Sequence, residues 1–451
     1  MSRSIVVSKF GGTSMGDLAS MQRSASIAKD RDTTLIVVSA TSGTTDKLIA
    51  VAKSASTGVM EECERLVFEI KERHLGLLKQ TGENSQTLTQ LESYFTELEL
   101  LIQNLSLLKE LTPRAYDHIL SLGERMSSLI FRDVVAATIT DKKVTLLDAR
   151  TIIKTDSNFG KATPLIDVIA REAAHRIDVS GDTIYVTQGF IGSDLQNNTT
   201  ILGRGGSDYS AALMAEGISA HTLEIWTDVA GVATTDPRLC PTAKIIPELT
   251  YSEAGVNGPI WSKDSPSRND RSSSKKTQFL CLWAQASRRL LPGTWIRSSV
   301  ELRPAVRAIT KRSGQALLTI TTPTMYNAYG FMSELFAVFG RHRVSVDCVT
   351  TSEISVAVTV DNATLENDSF IKDLEKVGNI HVEAGHSLIS LIGNELTSKA
   401  CLAKTIFNTI DDVNIRMMSL GASPYNFNFL VREEDSKAVI QGLHKRLIEE
   451  V

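Results

Sequence analysis

Val7-Ser8-Lys9-Phe10-Gly11-Gly12-Thr13-Ser14 ends the first apolar stretch of the chain with a lysine, two glycines and two hydroxyls. Glycines let backbone N–H groups approach phosphate oxygens, and a helix starting at Thr13 or Ser14 adds its positive end. Lys9 can neutralise charge on a group in transit. Gly-Gly after a strand also makes an ordinary turn, and the run is not a Walker A sequence, which argues against a P-loop fold. Outward from it, Ile5–Ser8, Leu35–Ser39, Val144–Asp148, Thr183–Thr187 and Thr222–Trp226 read as strands, with amphipathic stretches between several of them. Short strands separated by such crossovers predict an α/β fold with a mostly parallel sheet covered by helices. Ligands of such sheets sit beyond the C-terminal strand ends, where the polar motifs of this chain fall.

With 451 residues the chain exceeds one ordinary core, so two or three compact units are expected. A net charge of -4 gives no electrostatic reason for a nucleic-acid partner. The N-terminus lacks the length and flanks of a signal peptide, and no stretch reaches the apolar length of a membrane span. Five scattered cysteines without CxxC spacing fit free thiols in a reducing cytoplasm better than disulfides or a structural zinc site, so no metal ligands are assigned. Residues 61–111, rich in Leu and Glu, read as a helical cap or hairpin added to the sheet domain.

Four further runs carry chemistry. Val38-Ser39-Ala40-Thr41-Ser42-Gly43-Thr44-Thr45 is a second anion-friendly turn, and equally a plain helix cap. In Leu122-Gly123-Glu124-Arg125, Glu124 can receive an ammonium group, or the two charges can form a solvated ion pair. In Gly203-Arg204-Gly205-Gly206-Ser207-Asp208, Arg204 can grip a carboxylate and Asp208 can orient a metal-bound phosphate or an attacking carboxylate. Trp226-Thr227-Asp228 and Thr234-Thr235-Asp236-Pro237-Arg238 suit a nucleotide rim, although Asp-Pro is also a common turn. No nucleophile–base pair of the hydrolase type appears, and phosphoryl transfer needs none.

The C-terminal part is duplicated. Ala316–Ile320 and Ser387–Ile392 read as strands followed by helices, Gly330–Phe339 and Ser398–Ile410. Val344–Thr350 and Val413–Leu420 follow, then Ser355–Val360 and Asn426–Val431. This order predicts two ferredoxin-like βαββαβ units, over 309–380 and 385–451, after a first domain over 1–295. Such paired units hold small effectors between them or serve as dimerisation surfaces.

Residues 255–291 fit neither period. A structureless loop of that length inside a compact domain counts against itself. The codons available to Ile260–Asn269, read one nucleotide later, can spell Phe-Gly-Ala-Lys-Ile-Leu-His-Pro-Glu-Thr, which suggests a reading-frame shift that closes before Pro292.

Lys9-Phe10-Gly11-Gly12-Thr13-Ser14, Leu122-Gly123-Glu124-Arg125, Gly203-Arg204-Gly205-Gly206-Ser207-Asp208 and Trp226-Thr227-Asp228…Thr234-Thr235-Asp236-Pro237-Arg238 together resemble the aspartokinase family, and nearest its lysine-sensitive bacterial form with tandem ACT domains. The resemblance covers the chain except about 255–291. It implies an amino-acid-kinase three-layer sandwich that uses MgATP to phosphorylate the side-chain carboxylate of L-aspartate, an early step toward lysine, threonine and methionine. Lys9 and Asp208 would be catalytic, and Thr45, Glu124 and Arg204 would hold aspartate. Lys9, Gly11, Gly12, Ser14, Thr227, Asp228 and Arg238 would contact ATP, with Mg2+ as the accompanying ion. Met325, Gly330, Phe331, Met332, Val346, Asp347, Ser352 and Glu353 would form the site of L-lysine as allosteric inhibitor. A cytoplasmic homodimer or dimer of dimers through the ACT domains is further implied. The chain departs from the family at Ala233, where a rim tyrosine is usual, and at Ala328, where a serine is typical. It also departs in 255–291, where the family has a Phe-Gly-Ala-Lys-Val-Leu-His-Pro segment whose lysine faces the phosphates. Two other readings remain at this point: a kinase of glutamate or acetylglutamate, and a catalytically impaired lysine-sensing subunit.

Overall fold

The computed structural model describes all residues except 1–3, 83, 258–279, 287–292, 301–303, 327–328, 395, 398–401 and 451. The proposed frame shift at 260–269 and the departure at Ala328 therefore lie outside the described residues. The chain divides into two compact units: 1–232 with 247–299, and 233–246 with 300–451.

The first unit is built on strands β1 (Val6–Phe10), β2 (Leu35–Val38), β3 (Lys143–Leu147), β4 (Lys154–Thr155), β5 (Thr183–Gln188), β6 (Ile191–Asp194), β7 (Thr199–Ile201), β8 (Thr222–Thr227), β9 (Glu248–Thr250), β10 (Leu280–Gln285) and β11 (Thr294–Arg297). Eight of them form one sheet in the order β3-β5-β2-β1-β8-β10-β11-β9, and β4-β6-β7 make a small second sheet. In the eight-stranded sheet every pairing from β3 through β10 is parallel, β10–β11 is antiparallel and β11–β9 parallel. The two central strands are buried on both faces, which is why they read as unbroken apolar runs rather than alternating ones.

Two differences from the sequence reading matter. First, β1 extends to Phe10, two residues beyond the strand read as Ile5–Ser8, so Lys9 lies within the strand rather than at its end. It stands in the ladder opposite Val37 and Ile225, at the centre of the sheet. Phe10 beside it is fully buried, stacked on Trp226 with ring centroids 6.4 Å apart, and its burial stabilises the unit by about 1.5–3 kcal/mol. Second, part of the anomalous stretch is regular. Leu280–Gln285 is a strand, paired in parallel register with Thr222–Thr227, because Cys281, Leu282 and Ala284 are small or apolar enough to fill a sheet interior.

Helices α1 (Leu18–Asp30), α2 (Thr44–Thr57), α3 (Met60–Gln80), α4 (Ser85–Leu108), α5 (Pro113–Thr138), α6 (Ile166–Arg176) and α7 (Gly206–Gly217) complete the unit. The stretch 61–111 forms helices α3 and α4. Leu122-Gly123-Glu124-Arg125 lies inside α5. A side chain at Gly123 would meet Ala40 Cβ at 3.0 Å, so this glycine lets α5 close on the second polar turn.

The second unit carries β12 (Val306–Thr321), β13 (Val349–Thr351), β14 (Ser355–Asp361), β15 (Asn379–Gly393), β16 (Met417–Leu420) and β17 (Asn426–Arg432), in the order β13-β14-β12-β15-β17-β16. All pairings are antiparallel. The duplication is present but interleaved. Gln315–Thr321 of β12 pairs with β14, and its core joins Leu318 to Leu335, Val358 and Phe370. The earlier part of β12 runs beside the later part of β15, and its core joins Ile309 to Ile389, Phe429 and Ile440. Register shifts at Arg312/Gln315 and Gln315/Leu317 mark the change. The contiguous division 309–380 and 385–451 is thus corrected: 306–312 packs with the later module.

Residues 233–246, read from sequence as part of the first domain, also belong to the second unit. Ile309 N–H donates to Thr234 C=O at 2.7 Å, and Leu239 packs on the Ile309 core. Among the described residues no helix is long and apolar enough to cross a membrane.

Candidate active site

A cleft of about 490 Å3 opens at the C-terminal ends of β1, β2 and β8. Its lining brings together Lys9, Gly11, Gly12, Thr45, Glu124, Arg204, Asp208, Thr227 and Asp228. Nine of the eleven residues assigned from sequence to catalysis, substrate and nucleotide, distributed over more than two hundred positions, thus face one cavity. The others are Ser14 and Arg238. Ser14 is buried in the 3-10 turn Gly12–Met15. Arg238 lies in the other unit, largely exposed and forked onto the Asp236 carboxylate.

Three backbone ends converge on the cleft. Gly43 and Gly205 cap α2 and α7 with φ of +75° and +77°, a conformation that glycine adopts without steric cost. Gly11 donates its N–H to Trp226 C=O at 3.2 Å, which ties the first motif to the end of β8. Two helix N-termini and a glycine-rich turn together present N–H groups to an anion.

At the centre Lys9 Nζ lies 2.6 Å from Asp208 Oδ1, both side chains largely buried. The pair joins the first strand to the first turn of α7. Glu124 is almost fully buried; its Oε1 accepts the Ala40 N–H at 3.2 Å, while Oε2 has no partner among the described residues. Burial pushes its carboxyl up to about 8, against the Ala40 hydrogen bond and the nearby Lys9 charge. A buried acid with one unused oxygen beside a cleft is suited to an incoming cation. Arg204, exposed at the rim, supplies a fork of donors.

Arg125 does not face the cleft. It clamps Glu97 with two hydrogen bonds, 2.9 and 3.0 Å, and stacks 4.3 Å over Tyr94, so it anchors α4 to α5. Beneath the second turn, Thr41 and Thr44 share a hydroxyl hydrogen bond of 2.6 Å, and Thr41 reaches His74 Nε2 at 3.3 Å. Burial holds His74 down to about 4, so the imidazole is neutral at physiological pH. Sequence reasoning passed over His74 because a lone histidine in a leucine-rich helix has no local signal.

The oxygen-only donor set of the cleft, with the Asp208 carboxylate at its centre, fits a Mg2+ ion of the kind that arrives with nucleotide phosphates.

The lysine-site residues assigned from sequence all lie in the second unit. Met325, Met332 and Val346 pack against the Leu318 core, and Phe331 is buried within it. Gly330 caps the helix Phe331–Arg341 with φ +83°. Asp347 pairs with Arg312, and Ser352 Oγ meets Ser355 Oγ at 2.7 Å, whereas Glu353 is exposed.

A mostly parallel sheet with a phosphate-friendly cleft at its strand ends defines a kinase of the amino-acid-kinase class, and the amino acid kinase family model matches residues 4–268. An ACT domain model matches residues 389–447. Lysine-sensitive aspartokinase 3 of Escherichia coli K12 is 37% identical, over 99% of this chain and 99% of its own. The crystal structure of E. coli aspartokinase III with aspartate and ADP superposes with a TM-score of 0.86 at 34% identity, covering 98% of this chain and 99% of that one. The structure of that enzyme with lysine and aspartate gives 0.80 at 35% identity, over the same shares. The chain belongs to the aspartokinases.

Proposed function

We propose that the cleft transfers the γ-phosphoryl group of ATP to the side-chain carboxylate of L-aspartate, forming 4-phospho-L-aspartate. The observation that carries this reading is the buried Lys9–Asp208 pair, set where two helix N-termini and the Gly11-Gly12 turn meet. Lys9 draws negative charge from the phosphoryl group in transit, and Asp208 keeps Lys9 extended toward it. Glu124 Oε2 receives the aspartate ammonium, and on binding the carboxyl gives up its proton because a cation now offsets burial. Arg204 forks onto the α-carboxylate and Thr45 supplies a hydroxyl. Both leave the side-chain carboxylate as the free nucleophile. Gly11, Gly12, Thr227 and Asp228 form the nucleotide wall; Ser14 supports the turn beneath it, and Arg238 is assigned to the nucleotide from its motif alone. Mg2+ would be held by Asp208 and the phosphates, and would supply neutralisation of the charge that develops between them.

L-Lysine is proposed as the inhibitor, bound by the second unit near Met325, Gly330, Asp347, Ser352 and Glu353. The E. coli enzyme with bound lysine and aspartate supports this. A homodimer through the ACT modules is supported by exposed apolar side chains at the sheet margins, Val349, Met418 and Leu420. The test is ATP-dependent aspartyl phosphate formation, trapped as the hydroxamate, with and without lysine. Lysine-inhibited turnover of aspartate, with glutamate and acetylglutamate inert, is expected. Lysine binding by folded protein without turnover would instead establish an effector-binding subunit.

A further inference from the structure

Wholly inside the second unit, Cys240, His444 and Glu449 place one potential ligand atom each within 4.8 Å of the others. Cys240 Sγ lies 3.5 Å from His444 Nδ1, which lies 2.7 Å from Glu449 Oε1. Cys240 and His444 are buried, and the Glu449 side chain is 29% exposed, so the group sits at a surface mouth.

The arrangement is not a nucleophile relay. In a relay the acid and the thiol take opposite nitrogens of the imidazole; here both converge on Nδ1, while Nε2 meets Thr234 Oγ1 at 2.8 Å. Convergence of sulfur, nitrogen and oxygen on one point is what a bound cation requires. For metal–sulfur and metal–nitrogen bonds of about 2.3 and 2.0 Å at a tetrahedral centre, sulfur and nitrogen stand about 3.5 Å apart. That is the separation present here.

Two features of the fold build the cluster. Helix Ser436–His444 continues into a π-helical turn, Lys445–Glu449. Residues five apart diverge on an α-helix, but the wider turn brings Glu449 over His444, and such turns recur at functional sites. Thr234, in turn, accepts the Lys244 N–H at 3.0 Å, which fixes its oxygen while its hydroxyl proton stays free to turn. It therefore holds His444 in either tautomer: donating to Nε2 when Nδ1–H faces Glu449, or accepting from Nε2–H when Nδ1 carries a metal. A partner of this type on the far nitrogen is the usual second support of a ligating histidine. The Thr242 hydroxyl contacts both Cys240 Sγ, at 3.1 Å, and Glu449 Oε1, closing a third side.

We propose that Cys240, His444 and Glu449 bind a divalent ion of the Zn2+ class, with water in the fourth position. Mixed thiolate, imidazole and carboxylate donors select such an ion over Mg2+ or Ca2+. Binding releases the Cys240 thiol proton and moves the imidazole proton from Nδ1 to Nε2. The ion pins 240–242 to the C-terminal helix, and so stiffens the strand of chain that carries Asp236 and Arg238.

The test uses the full, tag-free chain stripped with a chelator. Zn2+ titration against a chromophoric competitor is expected to show one tight equivalent. Co2+ is expected to give thiolate charge-transfer absorption and tetrahedral d–d bands. Cys240→Ser and His444→Gln should each weaken Zn2+ binding more than about tenfold, and Thr234→Val by about 10–100-fold. Cys63→Ser, a buried thiol of the other unit, should leave it unchanged. Zn2+ should raise the unfolding midpoint of the wild-type chain but not of Cys240→Ser. A wild-type chain that takes up no stoichiometric Zn2+, or whose Co2+ spectrum lacks the thiolate band, overturns the proposal whether or not the variants fold.

Discussion

The cleft and the sheet of the second unit use their strands in opposite ways. In the first unit the strands are short and stop abruptly. Their ends carry glycines, hydroxyls and one charged pair, and the helices that follow begin at the cavity. In the second unit β12 and β15 run for 16 and 15 residues, and each serves two modules in succession. A site made of strand ends is tuned by single residues, whereas a shared ribbon joins two cores through the same pair of strands.

The interleaving is most exposed to core truncation. Ile309→Ala and Leu318→Ala each remove a fully buried side chain from different cores, at a cost of about 2–5 kcal/mol. Amide exchange should then accelerate in Phe427–Val431 for the first and in Val356–Val360 for the second. A common loosened segment in both would restore the contiguous division.

Next in size, Lys9→Met should lower the hydroxamate-detected rate by about 10²–10³-fold, with the unfolding midpoint affected less. The lost charge acts on the reaction more than on the sheet. Equal losses of activity and stability would make Lys9 a structural partner of Asp208 instead.

Glu124→Gln should raise the KM for aspartate about 10–100-fold, as expected when a charged hydrogen bond of about 1.5–3 kcal/mol is lost. It also carries a pH signature. In the free enzyme the folded carboxyl titrates near 8, above its unfolded value of 4.5. The native state therefore holds the extra proton across that window, and wild-type stability falls as pH rises through it. The glutamine variant lacks this loss, so its midpoint should gain on wild type between about pH 5 and pH 8. Parallel pH profiles would mean that Glu124 is already ionised and paired. His74 has the reverse sign. Its folded value near 4 lies below the unfolded 6.5, so stability declines as pH falls between them.

The smallest effect is expected at Gly330→Ala. Nothing crowds a side chain there, but φ is +83°, and the left-handed conformation costs a non-glycine residue about 1–2 kcal/mol. Lysine inhibition should shift severalfold while the uninhibited rate holds; a changed basal rate would place Gly330 outside the effector site.

Most of the cleft was legible from sequence because its parts are local. A glycine pair after a strand, a Ser/Thr-rich turn before a helix and an Arg between glycines each announce themselves within eight residues. Glu124 was found for its charge, but its setting had no local signal, since only packing shows that Gly123 lets α5 lie against Ala40. Leu280–Gln285 was hidden by its neighbours, and became a strand through β8. The assignment of 233–246 to the first domain failed because its decisive contacts lie about 75 and 210 residues away.

By itself the sequence determined the fold class, the family and most of the residues that line the cleft, because backbone conformation and phosphate chemistry are set by near neighbours. Only the tertiary structure decided that Lys9 pairs with Asp208, that two modules share one ribbon, and that Cys240 meets His444 and Glu449. Each of those depends on contacts between distant segments, where burial and sheet register, rather than local propensity, choose the partner.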